Sequence, residues 1–136
     1  MLLDRKDTII VRMLREDSKT PLKSMAHAVG MSETAVKKRI ENLKRKGVIR
    51  RFTAEINERI IGLARGIVFL DVRDVEKATA FIKRLPFVSA IFLSSGSSNL
   101  VVEIECPEGL IQRIFERIKK MAGVRRASCS IIVRRL

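Results

Sequence analysis

Residues Met31 to Arg51 run MSETAVKKRIENLKRKGVIRR. Ser32 is a good N-cap, because its hydroxyl accepts one of the unpaired amide protons at a helix start. Val36, Ile40 and Leu43 then recur at spacings of four and three, one face of a 3.6-period helix. Gly47 suits the position after the helix end, where a left-handed backbone is needed at low cost. The opposite face carries Thr34, Lys37, Lys38, Glu41, Lys44 and Arg45. Across residues 37–51, eight basic side chains stand against one acid, Glu41. The stretch therefore predicts an amphipathic helix with one face for a protein core and one for a polyanion. A solvated charged face is the commonest fate of such a run, so its context has to discriminate.

That context lies upstream. Asp4 and Asp7 fall in a first helical turn, where negative charge suits the helix dipole. Ile9, Ile10, Met13 and Leu14 supply an apolar stripe, predicting a first helix to Asp17, broken by Ser18–Pro21. Thr20 is expected to cap a second helix with Pro21 at its first position, where a missing N–H costs nothing. Leu22, Met25, Ala26 and Val29 give that helix a core face, and Gly30 ends it. Two helices joined by a short glycine-containing turn are the helix-turn-helix arrangement, whose last helix enters the DNA major groove. Residues 1–62 hold fifteen Lys/Arg against eight Asp/Glu, net +7, and residues 37–51 alone account for that excess. A solvated surface scatters its charge; this one concentrates it.

Downstream, Ile49–Ile56 (IRRFTAEI) alternates apolar and polar residues, predicting a wing or connecting strand. Residues 57–64, around Gly62, read as a hinge. From Arg65 the period changes. Gly66–Val72 is an apolar run that fits a buried strand. Asp74 caps a helix bearing Val75, Ala78, Ile82 and Leu85, and Pro86 stops it. Val88–Leu93 and Leu100–Cys106 read as a hairpin around the turn Ser94–Asn99. Leu110, Ile111, Ile114, Phe115, Ile118 and Met121 mark another helix, Gly123 ends it, and Val124–Val133 is the last strand. The order is βαββαβ, a ferredoxin-like split βαβ unit. The fold class is α+β: a helix-turn-helix domain with connecting strand over 1–56, a hinge over 57–64 and a βαββαβ domain over 65–136.

Two helices cover only one face of a four-stranded sheet. Yet IVFL, IFL, LVVEI and SIIV read as nearly continuous apolar runs, which want both faces covered. The second face is therefore predicted to pack against another copy of the chain, with two-fold symmetry the default.

The 136 residues carry a formal charge of +13 and a pI near 10.7. That balance points to an acidic partner, nucleic acid first. No apolar run approaches the roughly 20 residues of a spanning helix, and no signal segment opens the chain, so a membrane role is disfavoured and a cytoplasmic location expected. Cys106 and Cys129 lack metal spacing and read as small buried hydrophobes, with a bridge between them the second reading. His27, the one histidine, reads as structural or surface. With no Tyr or Trp and no Ser/His/Asp or Cys/His set, neither catalysis nor a cofactor is expected.

The chain resembles the Lrp/AsnC (leucine-responsive, feast/famine) family of prokaryotic transcription regulators. The likeness rests on Leu3-Asp4-x-x-Asp7-x-x-Ile10, on Asp17, and on Met25-Ala26-x-x-Val29-Gly30-Met31-Ser32. It continues in Val36-x-x-Arg39-Ile40-x-x-Leu43-x-x-x-Gly47-Val48-Ile49, Gly62 and Gly123-Val124. It implies a winged helix-turn-helix followed by a ligand-sensing βαββαβ (RAM-type) domain that drives homodimers and larger assemblies, tetramers or octamers. Ser32, Glu33, Thr34, Lys37 and Lys38 are the expected contacts to base edges. Arg39, Lys44, Arg45, Arg50 and Arg51 are the expected phosphate contacts, with Arg39 also placed to pair with an acid inside the domain. The family's effector-binding turn usually reads Thr-Gly-x-Tyr/Phe-Asp; here it is Ser95-Gly96-Ser97-Ser98-Asn99. Asn99 offers an ammonium no charge, and Ser98 removes an aromatic wall, which bears on an amino-acid-like effector. Two other readings stand beside this one. A low-specificity architectural DNA-binding protein would suit the net +6 of residues 63–136. The layout also resembles sirohaem decarboxylases, but the βαββαβ half holds no histidine.

Overall fold

The computed structural model describes residues 3–133; residues 1–2 and 134–136, which the expected domain bounds include, lie outside the described residues. The chain divides into two compact units, Met1–Glu55 and Ile56–Leu136.

The first unit has three helices, α1 (Arg5–Glu16), α2 (Leu22–Val29) and α3 (Glu33–Arg45). Asp4 is the N-cap of α1, its carboxylate accepting the Asp7 N–H at 2.7 Å. Thr20 does not cap α2. Its hydroxyl donates to the Asp17 carbonyl at 2.7 Å, and Pro21 occupies the N-cap position with no side-chain cap bond. The hydroxyl is drawn back to the orphan carbonyls at the end of α1, which need donors as much as α2 needs acceptors. Ser32 caps α3 as expected, accepting the Ala35 N–H at 3.2 Å. At the other end Gly47 has φ +70, with Val48 N–H on the Leu43 carbonyl and Gly47 N–H on the Lys44 carbonyl, both at 2.9 Å. That is the Schellman pattern, and it turns the chain sharply off the helix. Ile10, Met25, Ala26, Val29, Val36 and Leu43 form the buried core of the unit.

The expected strand over Ile49–Ile56 is absent: residues 50–57 are irregular and exposed throughout. A strand needs a ladder partner for its N–H and C=O groups, and among the described residues none pairs with it. Phe52 and Ile56 are left exposed.

The second unit holds β1 (Ala64–Val72), α4 (Val75–Ile82), β2 (Val88–Leu93), β3 (Leu100–Cys106), α5 (Glu108–Lys119) and β4 (Val124–Ile132). The strands form one antiparallel sheet in the order β2-β3-β1-β4, the ferredoxin-like arrangement. Leu85 lies beyond the end of α4 rather than on its face, and is buried there. One sheet face packs Val68, Leu70, Val72, Leu100, Val102 and Ile104 against Ala78, Ile82, Ile111, Ile114 and Ile118 of the helices. Burial along β3 alternates residue by residue, with Val102, Ile104 and Cys106 inward and Glu103 and Glu105 outward, so that Val101 is the apolar residue on the outer side. The register sets Phe92 beside Val101 and Val101 beside Phe69 on the other face. Phe69 and Phe92 are 38% and 48% exposed there.

Candidate nucleic-acid interface

An α3 of thirteen residues puts Val36, Ile40 and Leu43 on the core side, Val36 and Leu43 fully buried and Ile40 packed against them. The same periodicity sends Ser32, Glu33, Thr34, Lys37, Lys38, Lys44 and Arg45 into solvent, and Arg50 and Arg51 follow as exposed residues. These nine side chains therefore share the accessible side of the unit's last helix and its exit. Lys44 leans on Glu41 at 3.2 Å, and Arg45 donates to Asn42 at 2.7 Å. Lys37, Lys38, Arg50 and Arg51 make no ion pair or side-chain hydrogen bond among the described residues. Cations without an internal partner are the ones free to displace counterions from a phosphate backbone.

Arg39, expected either among the phosphate contacts or paired with an acid inside the domain, takes the second role. Its Nη1 lies 2.6 Å from Asp4 Oδ2 and 2.7 Å from Asp7 Oδ1. The Asp7 backbone N–H, and then the Arg39 guanidinium, hold the Asp4 carboxyl below the usual carboxylate range. In return the hydrogen bonds to Asp7 and Asp4 raise the pKa of Arg39. The guanidinium is planar and presents several donors in a fork, so one group reaches both carboxylates. Arg39 thus ties α3 to the start of α1 and sets the helix that carries the other cations. Asp4 and Asp7 are the residues that sequence reasoning assigned only to a helix dipole. An acid pair one turn apart opposite a lone half-buried arginine was the available signal.

The turn of the second unit also differs from expectation at one residue. The Asn99 Nδ2 donates to the Val72 carbonyl at 2.8 Å, and the Val72 N–H donates to the Asn99 Oδ1 at 2.9 Å. Each end of the amide thus makes one bond to the end of β1, which fixes its orientation and leaves one amide hydrogen and one oxygen lone pair uncommitted. Ser95, Gly96 and Ser97 are exposed and Ser98 is half-buried. The Ser97 carbonyl accepts from Arg126 Nη2 at 3.0 Å.

Cys106 and Cys129 are free thiols whose pKa values burial pushes up. Among the described residues no group of three or more His, Cys, Asp and Glu is placed to hold a metal ion, and no helix is long and apolar enough to cross a membrane.

A tri-helical unit with a basic, unpartnered face on its last helix, followed along the chain by a βαββαβ unit, defines a helix-turn-helix DNA-binding protein. Comparison with known proteins carries the assignment further. The model of the AsnC-type helix-turn-helix domain matches residues 3–44. The HTH-type transcriptional regulator LrpA of Pyrococcus abyssi is 34% identical over 140 residues, 99% of this chain and 99% of that protein. The regulator LysM of Saccharolobus solfataricus is 29% identical over 97% of this chain and 94% of its own length. The crystal structure of the leucine response regulatory protein LrpA of Mycobacterium tuberculosis matches with a TM-score of 0.77 at 26% identity, over 98% of this chain and 94% of that one. Escherichia coli AsnC has the same fold, with a TM-score of 0.77 at 17% identity over 99% of this chain and 95% of its own. The chain belongs to the Lrp/AsnC family of helix-turn-helix regulators.

Proposed function

We propose that this Lrp/AsnC-type DNA-binding transcription regulator acts in the cytoplasm as a two-fold dimer that reads duplex DNA in sequence-specific fashion. The N-terminal half of α3 enters the major groove. Ser32, Glu33, Thr34, Lys37 and Lys38 face base edges, and Lys44, Arg45, Arg50 and Arg51 hold phosphates. The observation that carries this reading is the division of labour on α3: Lys37 and Lys38 are exposed and unpaired, while Arg39, between those cations and the core stripe, is consumed by Asp4 and Asp7. Base contacts give discrimination and phosphate contacts give affinity and salt dependence. The dimer uses the sheet face that α4 and α5 leave uncovered, where Phe92, Val101 and Phe69 run side by side across three strands. An effector reaching the turn 95–99 meets serine hydroxyls and backbone but no carboxylate, so a ligand's ammonium group finds no counter-charge on that turn.

The experiment is a fluorescence anisotropy titration of the full chain against a duplex from the gene's own upstream region, with a scrambled duplex of equal length alongside. A preference of roughly 10³ or more for the upstream duplex is expected of a specific binder. In Lys37→Ala, loss of affinity should be greater on the upstream duplex than on the scrambled one. Equal losses on both would remove base readout by Lys37.

A further inference from the structure

The helix-turn-helix accounts for the cations of α3 but not for those of the second unit. Among the described residues 56–133, twelve Lys/Arg stand against eight Asp/Glu, net +4. Residues 71–77 and 117–126 hold seven of those cations and three of the acids, again net +4, so the remainder of the unit is neutral. The topology brings these two segments to one end of the sheet. Val72 pairs with Val124, the Arg73 N–H donates to the Gly123 carbonyl at 2.9 Å, and Arg126 reaches the Ser97 carbonyl. The end of β1, the start of α4, the end of α5, the start of β4 and the turn 94–99 therefore converge.

Two of the three acids there are occupied, and the third, Glu76, is exposed in the first turn of α4, where its charge suits the helix dipole. Asp71 takes Arg125 at 2.8 Å and Arg126 at 3.5 Å, and Asp74 takes Lys77 at 3.4 Å while capping α4. Arg73, Arg117, Lys119 and Lys120 are left exposed, with no ion pair or side-chain hydrogen bond among the described residues. Cations in the last turn of a helix suit its dipole, which accounts for Arg117 and Lys119 on α5. It does not account for Arg73, Arg125 and Arg126, which come from other elements. The turn 94–99 between them bears no charged side chain. At the far end of the sheet Glu58 and Glu105 pair with Arg65, and over the rest of the described unit five Lys/Arg stand against five Asp/Glu.

We propose that this end of the βαββαβ unit is a second duplex-DNA surface, gripping the phosphate backbone through Arg73, Arg117, Lys119 and Lys120 without reading bases. The cations are drawn from separate elements and none is buried, an arrangement that fits an extended polyanion. Each phosphate neutralised releases counterions, so such a surface reveals itself in salt dependence. The chain then holds DNA twice, once for sequence and once for the flanking duplex.

The test uses the full chain on a duplex of about 20 base pairs, enough for two half-sites one helical turn apart, and on one about three times longer. Lys119→Gln/Lys120→Gln should lower the slope of log Kd against log salt by about 2 on the long duplex, at about 0.9 per lost contact. The slope on the short duplex should not move. Arg73→Gln, outside any helix, should lower the long-duplex slope by about 0.9. In parallel, the long duplex should slow acetylation of Lys119 and Lys120 severalfold and leave Lys83 unaffected. Unchanged slopes on both duplexes, equal falls on both, or equal acetylation of Lys119 and Lys120 with and without DNA would each overturn the proposal.

Discussion

Replacing Arg39 by alanine separates the two roles that a basic residue on a recognition helix can have. The side chains of Arg39 and Asp7 are 30% and 16% exposed, and their atoms lie 2.7 Å apart. A pair so placed is screened less than a surface pair, whose worth is about 0.2–1 kcal/mol. Loss of the Asp7 arm should therefore cost about 1–2 kcal/mol. For a unit of this size 1 kcal/mol moves the melting temperature by about 4–8 °C, so Arg39→Ala should lower the midpoint of the helix-turn-helix transition by about 4–16 °C in scanning calorimetry. Asp7→Asn should reproduce most of that fall, and the double variant should lose less than the sum of the singles, as groups in direct contact do. Below the transition, the salt slope of DNA binding should stay at the parent value, because the guanidinium faces Asp4 and Asp7 and not the duplex. A slope reduced by about 0.9, the signature of one lost phosphate contact, together with an unmoved melting temperature, would refute this placement and return Arg39 to the DNA surface.

Three further outcomes follow from the geometry. Phe92→Ala removes a ring 48% exposed on the uncovered sheet face; with two copies meeting there, the dimer should weaken by about 3–5 kcal/mol, roughly 10²–10⁴ in Kd, as read by analytical ultracentrifugation, and an unchanged Kd would place the dimer contact elsewhere. Gly66→Ala would set a Cβ 2.9 Å from Ile111 Cγ2, in the buried contact between β1 and α5; overpacking of this kind costs about 1–3 kcal/mol, so urea unfolding should show a lower midpoint with little change in slope. The folded-state pKa of Asp4 is depressed below 3.8 by the Asp7 N–H first and Arg39 second. A depressed carboxylate contributes stability that is fully present above its unfolded pKa and is lost as pH falls through the folded one. The melting-temperature gap between the parent chain and Asp4→Asn should therefore be constant at neutral pH and close as pH drops below 3.8; a gap that persisted in acid would assign the effect to something other than the charge.

How much could be read in advance follows the distance over which each interaction acts. The capped, amphipathic α3 was legible because Ser32, the Val36-Ile40-Leu43 stripe and Gly47 act within one or two helical turns. The βαββαβ order was legible for the same reason, with Asp74, Pro86 and Gly123 punctuating changes of period. Ile49–Ile56 has strand-like alternation, but a strand is a property of two segments, and among the described residues no second segment pairs with it. Thr20 was misplaced because it has carbonyl acceptors behind it as well as amide donors ahead, and the local sequence does not rank them.

The binding face shows the same division. The chain's composition and its charge distribution pointed to a polyanion as the partner and to α3 as the most basic helix, since net charge and helical period are sums over neighbours in sequence. Which cations remain free was settled only by folding. Arg39 is neutralised by carboxylates 32 and 35 residues away, and Asn99 is bonded to a backbone 27 residues away. Arg73 comes to lie beside Gly123 through a sheet pairing. A side chain's availability depends on what the packed chain brings within about 3 Å of it, and that is a fact of three dimensions.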